Sequence, residues 1–540
     1  MKLDDSRIWY GVLFAVFILF RLFVANESYF VGGDEAKYLK AAMTFPAHET
    51  WNNQLELYNQ PFVPYLFAIG NLFSQFKWAQ IVILGFSILF FIYCIKFFKA
   101  LGKSDEWIFV AMTFIALAHE IIMMSYRIYK EPIYLALFVM MLYYFLRALR
   151  GENKHYWTTA LLGIISAYTT DHILLFIPLL LLMIFVFNTK NTSIIRAFAC
   201  IAIISIAMVS WFGVRAIIYS NNEWYPAGVD GTPEYVKDFG LREILSPSGF
   251  SNTALMIGNQ VAFRPAHWAA YIAYMFNMEP ALITPDITYE TANQLVTLKQ
   301  ILFMFFVYIP LIFVIAFGIW LARPFLFTKP SIKGLLDNED LFFAIMYIIL
   351  NIFIVYKGFS NRYSLGAIIP LAFFFAQGVE GIVDIFEIKM VTISRIVLAT
   401  VFIMLVPLHI VGNQNFLLTL PYEVDAQKTS EFLAKLPGDG IMSQAGYTPE
   451  IAWLTHPKRV LSLPRTPEHF EELLEKYRIA YVVYGERYWA EPVHENKELV
   501  WDYETIEYVR NHPEKFVLLK TITEEYKEIP ADELRVYRVV

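Results

Sequence analysis

Apolar residues fall into runs of about twenty, the length that crosses the hydrocarbon core of a bilayer. Charged or proline-bearing segments separate them. The pattern predicts about eleven transmembrane helices, over roughly 8–25, 78–99, 107–125, 131–149, 157–170, 172–188, 194–219, 299–321, 341–357, 364–382 and 393–412. The fifth and sixth are divided only by the polar turn YTTDH, Tyr168–His172. The first run is too long for the core of a signal peptide and has no small-residue cleavage pattern after it, so it is read as a retained span. Between the first two spans the period changes. EAKYLKAAMTF repeats like a helix, whereas QPFVPYLFAIGNLFSQF is short and proline-bearing and reads as an interfacial or re-entrant helix. Beyond about 421 the long runs stop. DAQKTSEFLAKL predicts a helix, GIMSQA a strand, TPEHFEELLEKY a helix with a threonine cap and an acidic first turn, and IAYVVYG and RVYRVV two strands. The expected fold class is a polytopic α-helical membrane protein with a small extracytoplasmic α/β C-terminal domain. Its division is 1–420 and 421–540, with a first outer loop over 26–77 and a long outer loop over 220–298. No internal repeat is visible.

Composition sharpens this. Of 540 residues, 57% are hydrophobic and 17% charged, against about 25% charged in a soluble protein. Mean hydropathy is +0.47. A formal charge of −6 gives no reason to expect a nucleic-acid partner. Cys94 and Cys200 lie inside apolar runs and read as small buried hydrophobes, not as a disulfide or metal framework. Lys2, Arg7, Lys96, Lys99, Lys103, Arg147, Arg150, Lys154, Lys190, Arg196, Arg323, Lys329, Lys333, Lys389 and Arg395 all fall in loops, or at the span ends that border them, on one side of an alternating eleven-span path. By the positive-inside rule that side is cytoplasmic. The N-terminus is then inside and the segment after 412 outside, in a multi-pass protein expected in a prokaryotic plasma membrane.

This path collects the polar chemistry on the outer face. Asp34 and Glu35 open a helical stretch behind two glycines, in VGGDEAKYLKAA. They suit a helix start, or a catalytic carboxylate held at the membrane surface. Glu131 precedes Pro132 in YKEPIYLALF, again a natural helix start and again an acid on the outer side. Carboxylates that converge there can serve as a general base and can hold a divalent cation such as magnesium or manganese. His119 and Glu120, near the outer end of the third span, and Asp171 and His172, in the turn, are candidates to support such a site. Arg215, Lys357, Arg362 and Tyr363 supply groups that suit a phosphate; the cations, Lys357 above all, also suit snorkelling to lipid headgroups.

The order of these motifs resembles the GT-C superfamily of integral-membrane glycosyltransferases. The nearest type is the protein O-mannosyltransferase and aminoarabinose transferase family, with its dolichyl-phosphate-mannose-protein mannosyltransferase-like members. GGDEAKYLKAA is similar to the acidic motif of that family's first loop, and NQPFVPYLFAIG to its proline-rich segment. YKEPIYLALFVMMLYYFLRALRG is similar to its acidic-proline start of the fourth span, and NRYSLGAIIPLAFFFAQG to its late Arg-Tyr segment; SWFGVRAIIYS adds a Trp–Arg match. The resemblance implies a polyprenyl-phosphate-linked sugar donor, a protein, lipid or glycan acceptor, inversion at the anomeric carbon, and Asp34 as base. Two departures stand out. Gln60-Pro61 replaces a double proline, and Asp171-His172 stands where relatives often carry Lys or Arg for the phosphate. VWDYE at 500–504 resembles an oligosaccharyltransferase motif without its doubled tryptophan or glycine and is read as coincidence. The alternative function is a transporter or lipid-linked-sugar flippase. Against it, no repeat is present and the ionisable groups lie at the boundary, not the midplane.

Overall fold

The structure, a computed structural model, describes residues 10–18, 33–43, 61–117, 127–170, 172–187, 194–220, 339–357, 365–385, 392, 422–444, 448–464, 467–485, 503–522, 525–526, 529–530 and 534–540. The helices of the N-terminal three quarters are α1 (10–18), α2 (Gly33–Met43), α3 (Phe62–Ala68), α4 (Gln75–Leu101), α5 (Asp105–Leu117), α6 (Glu131–Leu149), α7 (His155–Ala167), α8 (Ile173–Phe187), α9 (Ile194–Ser220), α10 (Glu339–Lys357) and α11 (Ile368–Ile385). Helices lie on every expected span except 299–321 and 393–412, which are outside the described residues, as is the loop 220–298 beyond Ser220. Among the described residues three helices, Gln75–Leu101, Glu131–Leu149 and Ile194–Trp211, are long and apolar enough to cross a membrane. Phe62–Leu72, Ile173–Phe187 and Leu365–Glu380 are apolar but shorter.

Two compact units divide the chain. The first comprises Met1–Glu27, Ile83–Ala216 and Ala227–Gln414; the second comprises Ser28–Val82, Ile217–Pro226 and Asn415–Val540. In the first, α6 is buried on nearly every side, as expected of an all-round apolar helix at the centre of a bundle. Arg147 and His155 close the α6–α7 turn on the Glu152 carboxylate. Tyr93 of α4 bonds Tyr144 of α6 hydroxyl to hydroxyl at 2.8 Å. Phe98, Trp107, Phe343 and Phe373 interlock α4, α5, α10 and α11, with Phe343 stacked on Phe373 at 3.8 Å. Trp107 Nε1 donates to Gln377 there at 3.3 Å. Gly163 of α7 faces Ile204 of α9 so closely that a Cβ would sit 2.4 Å from its Cδ1. Small residues at such crossings let membrane helices approach. Trp157, Ile195, Ile206 and Val209 remain exposed on α7 and α9, as side chains facing lipid would.

The second unit contains α12 (Tyr422–Ala434), β1 (Gly440–Ser443), α13 (Thr448–Leu454), β2 (Arg459–Ser462), α14 (Phe470–Lys476), β3 (Ile479–Gly485), α15 (Tyr503–Asn511), β4 (Phe516–Ile522), a short pair β5 (Glu525–Tyr526) and β6 (Ile529–Pro530), and β7 (Leu534–Val539). The main sheet runs β2-β1-β3-β7-β4. β1 is parallel to β2 and β3, and β7 is antiparallel to β3 and β4. Alternation along β3 makes two cores. Tyr481 and Val483 join Ala426, Leu433 and Ile451 from α12 and α13. Val482 and Tyr484 join Phe470, Leu474, Ile506 and Val509 from α14 and α15. The sheet is thus covered by helices on both faces, as its nearly continuous apolar centre requires.

Residues Ser28–Val82 belong to this unit. Helix α2 buries Ala36, Leu39 and Ala42 and packs against α3 and α13. Its last turn is held by side chains: Gln75 Nε2 donates to Leu39 O at 2.6 Å and Asn71 Nδ2 to Ala42 O at 2.7 Å. These amides satisfy carbonyls that a helix end leaves open.

Candidate functional site

The candidate residues divide between the units. In the second, Asp34 and Glu35 occupy the second and third positions of α2, within its first turn and not at its cap. An acid there is favoured by the partial positive charge of the helix N-terminus. Glu35 is 1% exposed. Five residues on, Lys40 is also buried, and its Nζ lies 3.0 Å from Nδ1 of His456, which follows α13. Burial first, and then the charge of Lys40, lower the His456 pKa below the ordinary histidine value. The Phe76 and Trp453 rings stack nearby at 6.5 Å. Helix α2 is therefore held by the 71–75 amides at its end, by Lys40 on its side and by α13 along its length. Its acidic first turn stands on a fixed helix.

In the first unit Glu131 is the first residue of α6, and Pro132 fits the opening turn because its missing N–H has no partner to lose. Glu131 is 2% exposed. One turn on, the Tyr134 ring stacks on His172 at 4.5 Å and 11°. One further turn down both helices, Phe138 stacks on Phe176 at 4.2 Å. The two i, i+4 pairs form a ring ladder that fixes the start of α8 beside the start of α6. His172 is buried, and its Nδ1 lies 2.5 Å from Thr170 Oγ1, which also accepts the His172 backbone N–H at 3.3 Å. At the same end of these helices Tyr168 meets Trp211 of α9 edge-on at 5.8 Å.

Arg215 lies in the last turns of α9 and Lys357 ends α10. His119, Glu120, Asp171, Arg362 and Tyr363 lie outside the described residues. The structure thus brings His172 into the neighbourhood of Glu131 by way of Tyr134, and places Asp34 and Glu35 together on α2. Sequence reading gave no role to Tyr134, Thr170, Lys40 or His456. The repeated aromatic spacing 134/138 and 172/176 was the available signal for the ladder; nothing local announced the Lys40–His456 pair, 416 positions apart. Among the described residues no three His, Cys, Asp or Glu side chains stand together to hold a metal ion.

Neither a protein-family model nor a curated protein matches the chain. Solved structures do. The oligosaccharyltransferase AglB from Archaeoglobus fulgidus, in complex with an inhibitory peptide and a dolichol-phosphate, superposes with a TM-score of 0.52 at 13% identity, over 96% of this chain and 74% of that one. The same enzyme tethered to an acceptor peptide with the NVT sequon gives a TM-score of 0.52 at 13% identity over the same shares, 96% and 74%. ArnT from Cupriavidus metallidurans, in the apo state, aligns over 99% of this chain and 98% of its own with 11% identity and a TM-score of 0.45. The likeness to AglB is one of fold: the chain shares the architecture of that solved oligosaccharyltransferase.

Proposed function

We propose that the chain is a glycosyltransferase that moves a sugar from a polyprenyl-phosphate-linked donor to a protein, lipid or glycan acceptor on the outer face of the membrane. The observation that carries the reading is its fold, shared with a protein solved with a dolichol-phosphate, on a chain that carries Asp34 and Glu35 in the first turn of a helix, α2. In the proposed reaction Asp34 takes the proton of the acceptor hydroxyl. The oxygen bonds to the anomeric carbon from the face opposite the leaving group while the bond from that carbon to the phosphate oxygen breaks. The configuration inverts and the lipid phosphate leaves with the bonding electrons. Arg215, Arg362 and Lys357 offset the charge that grows on the phosphate, and Tyr363 serves the same group. Glu131 is the second carboxylate of the site, and His119, Glu120, Asp171 and His172 are its supporting groups. Among the described residues no three-residue cluster stands together for the magnesium or manganese that convergent carboxylates suit. The proposed setting is a prokaryotic plasma membrane, with residues 421–540 outside.

Asp34→Asn tests this directly. Asn fits a helix start nearly as well as Asp but accepts no proton at neutral pH. Transfer from a polyprenyl-phosphate sugar by the purified variant is expected to fall by roughly 10²–10⁴-fold, the usual worth of general-base catalysis, with donor binding retained. Turnover close to that of the wild type would return Asp34 to being a helix-start residue and remove the mechanism.

A further inference from the structure

Helix α3 runs on into a 3₁₀ turn, Ile69–Leu72, and the two are apolar on every side. One side, with Val63, Phe67 and Gly70, is buried. The opposite side is open: Tyr65 is 45% exposed, Ile69 46%, Leu72 85% and Phe73 63%. An i, i+4 step along the helix and an i, i+3 step along the 3₁₀ turn, where such residues eclipse, put 65, 69 and 72 in one row. The polar side chain of the turn, Asn71, donates to Ala42 O of α2. A helix whose outer side faced water would carry polar residues there. A contiguous row of large apolar side chains marks a contact surface instead.

The path of the chain says what covers it. Ser74 alone separates Phe73 from α4, which is long and apolar enough to cross a membrane. The row is locked to the first turns of that helix. A Cβ on Gly70 would sit 2.7 Å from Gln75 Cα and 2.9 Å from Trp78 Cβ. Trp78 Nε1 donates to Leu66 O at 2.8 Å, and the Phe73 and Trp78 rings meet edge-on at 5.7 Å. The row therefore stands where α4 enters the bilayer. The element cannot itself span, because residues 62–72 rise about 17 Å, near half of the hydrocarbon core. Lys77, exposed in the first turn of α4, and the aromatic Tyr65 and Trp78 are residue types that gather at headgroup level.

We infer that Tyr65, Ile69, Leu72 and Phe73 form a membrane-docking surface, seated at the boundary of headgroups and acyl chains in the leaflet where α4 begins. Hydropathy leaves an interfacial and a re-entrant path open for this segment; the exposed row and its lock onto α4 select the interfacial one. The same seat steadies α2. The amides of Asn71 and Gln75, at the end of the row, hold the carbonyls of Ala42 and Leu39, so the lipid contact fixes the helix that carries Asp34 and Glu35. The inference rests on α4 crossing a bilayer and not on the proposed reaction.

Spin labels on Leu72→Cys and on Tyr65→Cys test it, in the full-length chain in vesicles of phosphatidylcholine and phosphatidylglycerol. Collisions with oxygen and with a water-soluble nickel chelate report depth. Cys94 and Cys200 are buried, and the unsubstituted chain serves as the blank. Both labels are expected to meet oxygen more than the chelate, at about 5–10 Å below the headgroups. Dominant collision with the chelate puts the row in water, protection from both reagents puts it against protein, and a depth at the bilayer centre makes the element re-entrant; each of these overturns the inference. A benzophenone side chain in place of Phe73 keeps the question open to test should the cysteine variants fold poorly. On irradiation it should give lipid adducts, and adducts to protein alone count against the surface. Hydrogen exchange of the 36–43 amides in the same vesicles reads the hold on α2. Leu72→Ser combined with Phe73→Ser should speed it about tenfold or more, since two apolar side chains no longer favour the lipid seat, and unchanged exchange removes that hold. None of these readouts involves sugar transfer, so the glycosyltransferase reading is tested separately.

Discussion

A lysine ammonium can donate to an imidazole nitrogen only while that nitrogen is unprotonated, so the 3.0 Å contact between Lys40 and His456 Nδ1 requires a neutral histidine. The lowered His456 pKa expresses the same fact. As pH falls, the unfolded chain takes up this proton first, near the ordinary histidine value of about 6.5. Between that value and the lower folded one the unfolded state holds more protons, so stability rises with pH. The contribution is complete above the ordinary histidine value and is lost as pH falls toward and through the folded pKa. Thermal unfolding of the wild type between pH 8 and pH 5 should show this acid-side loss, and His456→Gln should reduce it, because a Gln carbonyl accepts from Lys40 and does not titrate. An identical pH slope in the variant would sink the pairing as a structural link. Other residue-scale features were legible in advance. Glu131-Pro132 read as a helix start and α6 begins there; Asp34 read as a helix start too, and α2 begins one residue before it, at Gly33. Long-range pairs were not legible, because a lysine in a helical repeat looks solvated until its partner from another part of the chain is known.

Among the described residues the helix positions followed from the apolar runs, since a run of bilayer length has one stable conformation in lipid. β3 was legible for the opposite reason: IAYVVYG is too short and too rich in β-formers for a helix, and it forms Ile479–Gly485 at the sheet centre. The order of strands was not. The terminal β7 inserts between β3 and β4, antiparallel to both, and alternation along a strand does not say which neighbour it takes. How closely helices approach was equally hidden. Gly163 looks like a tolerated helix glycine until Ile204 is seen against it, with two side-chain carbons 2.4 Å from any Cβ added there. Ile204 is fully buried and has little room to withdraw. Gly163→Ala should destabilise the fold by about 1–3 kcal/mol, the range for overpacking. Ile204→Ala alone should also destabilise, by leaving a cavity. Together the two changes should cost less than their sum, because the new methyl occupies part of that cavity. Additive melting shifts across the four proteins would show that the α7–α9 crossing is looser than described.

At the scale of the whole chain, composition was enough to indicate a polytopic protein, and the motif order was enough to indicate the fold that AglB shares. The grouping of parts was less accessible. A change of composition near 421 suggests a boundary there, yet residues 28–82 belong with 415–540 in one compact unit. Hydropathy separates lipid-soluble from water-soluble segments, and the α2–α13 packing that joins these parts is between amphipathic helices that hydropathy does not single out. Orientation in the membrane is the remaining property of the chain at this scale, and the basic residues argue it. Lys96, Lys99 and Lys103 lie at and just beyond the end of the second expected span; Arg147, Arg150 and Lys154 at and just beyond the end of the fourth; and Lys389 and Arg395 between the tenth and the start of the eleventh. Each loop follows an even number of spans, and translocating such loops is what the positive-inside rule disfavours. With the N-terminus inside, residue 150 then lies inside after four crossings and residue 412 outside after eleven. A reporter active only outside the membrane should be silent when fused after residue 150 and active when fused after residue 412, and a reporter active only inside should give the reverse. The two sites are separated by an odd number of expected spans, so finding both on one side would remove the eleven-span path. It would also place the acidic start of α2 and residues 421–540 on opposite sides, which their shared packing forbids.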